Sequence, residues 1–184
     1  DDLAITYKDL FQNAAGYARL LDSHGIQPDD VVVLILEHGK ELIFSFFGAV
    51  LHGSIPSIMP FLTEKLSPER YRADLAALIG VTKPAAIVTY PEFEQEIRSA
   101  LRNHDSVRAV IIVDEISPVD ITEASLLSGL NRDENSIVLL QHSSGTTGLQ
   151  KGVALSHRAV LNQLDAYGES LSLSKDDVLV SWLP

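Results

Sequence analysis

Ser143-Ser144-Gly145-Thr146-Thr147-Gly148-Leu149-Gln150-Lys151-Gly152 puts four hydroxyl residues, three glycines and one lysine into ten positions, with no acid among them. Glycines let successive backbone N–H groups converge into a nest that takes phosphate oxygens. Hydroxyls add donors, and a lysine adds a mobile positive charge. The stretch therefore reads as an anion-binding loop. Working outward, Ser136–Gln141 reads as a buried strand and Gly152–Leu155 as another, so the loop joins two strands. Ser156 is a suitable N-cap for a following helix, on which Val160, Leu164, Tyr167 and Leu171 share one face.

The loop is not a Walker A sequence. Lys151 stands at the right distance from Gly145, but Gln150 replaces the second glycine, Gly152 replaces the Ser/Thr, and no helix follows directly.

Towards the N-terminus, strand and helix patterns alternate. Leu10, Ala14, Tyr17, Ala18 and Leu21 mark one helical face, with Thr6 and Asp9 as a capping box and Gly25 as a stop. Val31–Leu36 is an unbroken apolar run, expected in a strand covered on both faces. Lys40–Leu51 is apolar nearly all round and predicts a buried helix, followed by a strand over Ser54–Met59. Tyr71, Leu75, Leu78 and Ile79 mark a helix, Ala85–Thr89 a strand, and Phe93, Ile97, Ala100 and Leu101 a helix with Pro91 near its first turn. Arg108–Val113 is the next strand, and Val178–Leu183 reads as a last one. Tyr7, Tyr17, Phe46 and Phe47 are expected in the core. The alternation predicts an α/β fold, a largely parallel sheet flanked by helices and joined by right-handed crossovers. Asp114–Asn135 breaks the pattern with Asp114, Glu115, Asp120, Glu123, Asp133 and Glu134 against Arg132, and is expected to be a surface connector.

The 184 residues suffice for a single domain with a real core. Twenty-five acids against fourteen scattered bases, a net charge of −11, argue against nucleic acid and anionic membrane surfaces. There is no cysteine, hence no disulfide, thiolate nucleophile or cysteine zinc site. His24, His38, His52 and His104 lack metal-ligand spacing, so no protein metal site is expected. His142, at a strand end, is read as hydrogen-bonded rather than chemical, and His157 as a first-turn residue. Leu42–Leu62 has the length of a membrane span, but Gly48, His52, Gly53, Pro56 and Pro60 make it a helix, a turn and a strand. No signal peptide is recognised, and a cytoplasmic location is the expectation. A chain without an initiator methionine, ending at Pro184 after an apolar run, is read as a truncated domain.

The order of motifs resembles the adenylate-forming superfamily: acyl-CoA synthetases, fatty acyl-AMP ligases, luciferases and adenylation domains. Leu140–Val153 with Leu155-Ser156-His157 is similar to that family's signature loop, Ile5–Leu10 to its opening motif, Phe47–Pro56 to its second motif, and Ser181-Trp182-Leu183-Pro184 to the start of a later one. The resemblance covers essentially the whole chain. It implies an N-terminal piece of the AMP-binding domain of an ATP-dependent ligase. Such an enzyme activates a carboxylic acid, here a fatty or related one, with ATP and Mg2+. It releases pyrophosphate and passes the acyl group to CoA or to the phosphopantetheine of an acyl carrier protein. The implied nucleotide-binding residues are Ser143, Ser144, Gly145, Thr146, Thr147, Gly148 and Lys151, with Thr146 and Thr147 donating to the β and γ phosphates. Lys151 has the catalytic role of stabilising charge. Two positions depart from the pattern: Gln150 stands where proline is usual, which would loosen the loop, and His142 stands at a commonly aromatic or threonine-like position. Gln150 favours one alternative, a non-catalytic nucleotide- or partner-binding module on the same scaffold. The 184-residue piece alone is expected to make no acyl-adenylate, since it supplies nothing recognisable for adenine, ribose or acyl chain.

Overall fold

Four short runs, rich in Val and Ile, form a parallel sheet: β1 (Val31–Ile35), β2 (Ile55–Ile58), β3 (Ala86–Thr89) and β4 (Ala109–Ile112), in the order β2-β1-β3-β4. The structure is a computed structural model and describes residues 4–61, 67–101, 106–113, 116–120, 127–142 and 152–180. Val31 pairs with Ile55, Val32 with Ala86, and Ala86 with Ala109, all in parallel. β-Branched residues suit a strand packed on both faces.

The alternation along β1 divides the core in two. Val32 and Leu34 pack with Tyr17, Leu21, Phe44 and Ala49, from α1 (Tyr7–Ser23) and α2 (Lys40–His52). Val33 and Ile35 pack with Tyr71, Leu75, Ile79 and Ile97, from α3 (Pro68–Thr82) and α4 (Glu94–Ala100). The layers are therefore helix, sheet, helix. From β1 the chain crosses through α2 to β2, then through α3 back past β1 to β3. Crossovers of one hand that reverse direction must lie on opposite faces of the sheet, and α2 and α3 do.

Local chemistry sets the boundaries. Thr6 and Asp9 form the reciprocal capping box of α1, with Thr6 Oγ1 accepting from the Asp9 N–H at 3.1 Å and Asp9 Oδ2 accepting from the Thr6 N–H at 2.9 Å. Ser67 caps α3 ahead of Pro68. Gly53, at φ 89°, ends α2 in the left-handed region. Gly48 is where α1 and α2 meet most closely: a Cβ there would run into Tyr17 Cβ and lie 2.8 Å from the Ala14 carbonyl oxygen.

A second, antiparallel sheet consists of β5 (Ile137–His142) and β6 (Gly152–Ser156), and α5 (His157–Ser170) follows directly. β5 lies along β2 without joining its ladder. Within 114–135, Val119 is buried against Ala15 and its N–H donates to the Gln12 carbonyl, while a short 3₁₀ turn spans Ser128–Asn131. No helix among the described residues is long and apolar enough to cross a membrane.

Three expectations are corrected. Tyr7 is not core: it sits in the first turn of α1 and is 92% exposed. Phe47 and Ile43 lie on an open side of α2, so that helix is buried on one face rather than all round. Residues 178–180 carry no regular structure and are exposed, because a strand needs a neighbour for its N–H and C=O groups and none pairs here among the described residues. Residues 181–184 lie outside the described set.

Candidate functional site

The two strands that bound the glycine-hydroxyl stretch are paired to their tips. Leu140 faces Ala154, Gln141 faces Val153, and His142 faces Gly152. Opposed residues in an antiparallel ladder hold their Cα atoms roughly 4.5–5.5 Å apart, so the residues on either side of 143–151 are clamped together. Ser156 closes the hairpin, and its side chain accepts from the Ala159 N–H at 3.2 Å as the N-cap of α5. Ser143, Ser144, Gly145, Thr146, Thr147, Gly148, Gln150 and Lys151 themselves lie outside the described residues. The described structure supplies the frame that carries them.

His142 is the described residue nearest that stretch on the β5 side, and it ties the hairpin to the parallel sheet. Its Nε2 is 2.9 Å from Oγ of Ser57, a fully buried residue of β2. Nδ1 is buried and has no hydrogen-bond partner among the described residues. Burial holds the imidazole below its ordinary titration range, so it is neutral at pH 7. A neutral ring carries one proton. Placing it on Nε2 lets that N–H donate to Ser57 and leaves Nδ1 as a bare acceptor, less costly to bury than an orphaned N–H. At Gly152 a Cβ would stand 3.1 Å from Leu140 Cδ1, a tight approach, and at ordinary contact distance, 3.6 Å, from His142 Cε1. His142 thus behaves as the hydrogen-bonded residue expected from its place at a strand end. Its partner Ser57, 85 positions away, was not foreseen, and the only local signal was a polar residue inside an apolar strand.

Among the described residues the other histidines do not converge on a metal site. His157 opens α5, and its backbone N–H donates to the Ser136 carbonyl. His52 is buried at the end of α2, with its carbonyl accepting from Ser128 Oγ at 2.5 Å, and burial lowers its pKa. Among the described residues no group of three His, Asp or Glu side chains is placed to hold a metal ion.

The profile of one family, described as AMP-binding enzyme, matches residues 1–184. A 4-coumarate–CoA ligase from Nicotiana tabacum is 29% identical over 97% of this chain and 33% of its own length. One from Narcissus pseudonarcissus is 33% identical over 92% of this chain and 31% of its own. Among solved structures, a fatty acyl-adenylate ligase from a study of the E. coli and L. pneumophila enzymes superposes with a TM-score of 0.79 at 26% identity, over 100% of this chain and 32% of that one. The L. pneumophila enzyme in complex with acyl adenylate and pyrophosphate gives a TM-score of 0.77 at 26% identity, over 98% of this chain and 30% of that one. The chain spans about a third of the length of these relatives.

Proposed function

From the premise that the chain belongs to the AMP-binding enzyme family, we propose that the intact protein is an AMP-forming acid–thiol ligase. A carboxylate oxygen attacks the α-phosphorus of Mg-ATP, the bond to pyrophosphate breaks, and an acyl-adenylate forms. A thiol sulfur then attacks the acyl carbon, and AMP leaves. The thiol is CoA or a carrier protein's phosphopantetheine, and the acid is fatty or related, in a cytoplasmic setting. The observation that carries this reading is the placement of the glycine-hydroxyl stretch between the paired tips His142 and Gly152, inside a family match that spans the chain.

In this reading the chain's own task is to position and to neutralise. Backbone N–H groups around Gly145 and Gly148, with the Ser143, Ser144, Thr146 and Thr147 hydroxyls, hold the phosphates. Lys151 offsets charge that develops on the departing pyrophosphate. The magnesium arrives with the nucleotide as part of the substrate. The hairpin suits this work because strands fix both ends of the loop, and the His142–Ser57 contact fixes the hairpin to β2.

The test is ATP–pyrophosphate exchange by the full-length protein with a panel of fatty, hydroxycinnamic and amino acids. Acid-dependent exchange supports the ligase, and the preferred acid sets the substrate class. Nucleotide binding without exchange on any acid would favour the non-catalytic module instead. The 184-residue piece alone is expected to show no exchange, because a phosphate cradle without adenine and acyl sites leaves most of the entropic cost of alignment unmet.

A further inference from the structure

The tie between His142 and Ser57 is made by one ring nitrogen and is vulnerable at the other. Ser57 is anchored in the centre of the fold: it pairs with Val33 of β1, and both residues are wholly buried. His142 ends β5 opposite Gly152, at the two positions that bound 143–151. The contact of 2.9 Å between Nε2 and Ser57 Oγ therefore links the mouth of the loop to the sealed half of the molecule.

Nδ1 of His142 is buried and has no hydrogen-bond partner among the described residues. As the bare acceptor of a neutral ring it is tolerated there. As the N–H of an imidazolium it needs an acceptor, and burying a charge without one is costly. The surrounding strands supply none: β1, β2, β5 and β6 carry no ionisable side chain besides His142 itself. The charged residues that flank the hairpin, Glu134 and Arg158, pair with each other at its opposite end, where the His157 N–H donates to the Ser136 carbonyl. In the sequence of 143–151 the only ionisable residue is Lys151, a cation with no acceptor to offer. Burial lowers the pKa of this ring, the direction expected for a site without a counter-charge.

We propose that His142 is a positioning residue for adenylation that works only in its neutral form: with its proton on Nε2 it holds the loop-bearing hairpin to β2 through Ser57, and a second proton, at Nδ1, releases it. The cationic ring reaches water only by rotating out of its site, and that rotation breaks the bond to Ser57. The adenylation rate thereby acquires an acid limb that belongs to the scaffold, not to a group that touches the substrates. This control rests on the ligase reading above and adds a proton-dependent switch to it.

ATP–pyrophosphate exchange by the full-length protein with its preferred acid, followed from about pH 8 to about pH 5.5, tests the switch. The wild-type rate should fall with unit slope below about pH 6.5. His142→Phe should be slower by about tenfold at about pH 7.5 and lack the acid limb. His142→Gln keeps an amide N–H for Ser57 and does not titrate, so it should recover most of the lost rate and stay flat in pH. Ser57→Ala should cost about tenfold in wild type but less than about twofold in His142→Phe, because both substitutions remove the same bond. A purely structural role would lower the melting temperature and leave the limb in place. A wild-type limb in His142→Gln, the wild-type rate in His142→Phe, or additive losses in the double variant would overturn the proposal. Wild type without exchange on any acid would overturn the ligase reading instead, and the same variants and pH series, read as Mg-ATP affinity by calorimetry, would then decide the role of His142.

Discussion

The four-stranded half and the β5–β6–α5 unit are built from similar residue types but differ in cover. In the first, β1 and β3 are sealed by helices on both faces, and Val32, Val33, Leu34 and Ile35 have no exposure. In the second, α5 has no buried residue, and Leu161, Leu164, Tyr167 and Leu171 are open along one side. Apolar content is therefore a poor guide to where stability resides. Packing on a neighbour supplies it, and the first unit has neighbours on both sides of its sheet.

The sharpest way to break this contrast is a matched pair of truncations. Ile87→Ala, in the sealed face of β3, should cost about 2–5 kcal/mol in denaturant unfolding. Leu164→Ala, on a residue 59% exposed, should stay within about 0.5 kcal/mol. Similar losses in the two variants would show that α5 is covered as well as β3. Next in size is Gly48→Ala, which drives a methyl into Tyr17 and the Ala14 carbonyl and should cost about 1–3 kcal/mol by the same measurement. A neutral result would mean that α1 and α2 are not locked at that crossing.

Much of the sealed half was legible because its signals are local. Runs of Val and Ile gave strands, and Thr6 with Asp9 and then Gly25 marked the two ends of α1 that the structure reproduces. What failed was cover. Helical periodicity fixes the angle at which a side chain points, not whether a neighbour stands there, so Tyr7 and Phe47 were misplaced. An apolar run at 178–180 shows β-propensity but cannot supply a pairing strand. At the site, the loop residues lie outside the described set, and only the pairing of the strands that bound them can be set beside the reading. The Ser57–His142 contact was not legible, since it depends on β5 lying along β2.

That contact joins the two units and yields a smaller prediction. Ser57→Ala removes the partner of His142 Nε2 and should lower stability by about 1 kcal/mol. It should also slow adenylation by the full-length protein, because the hairpin loses its tie to β2. An unchanged rate would confine the contact to stability. The smallest effect is in pH. Burial lowers the pKa of both His142 and His52. Between those lowered values and the ordinary value of about 6.5, the unfolded chain binds more protons than the folded one, so stability falls as pH drops. The melting temperature should fall from about pH 7.5 to about pH 5.5, and less steeply in His142→Phe. A slope equal to wild type in that variant would place the effect on other groups.

The central claim is that the hairpin presents a phosphate cradle whose cation is Lys151. Adenylate formation by full-length Lys151→Ala, measured beside its melting temperature, tests it most directly. The account predicts a rate lower by about 10²–10³-fold at a nearly unchanged melting temperature. Adenylation at the wild-type rate in that variant would contradict it.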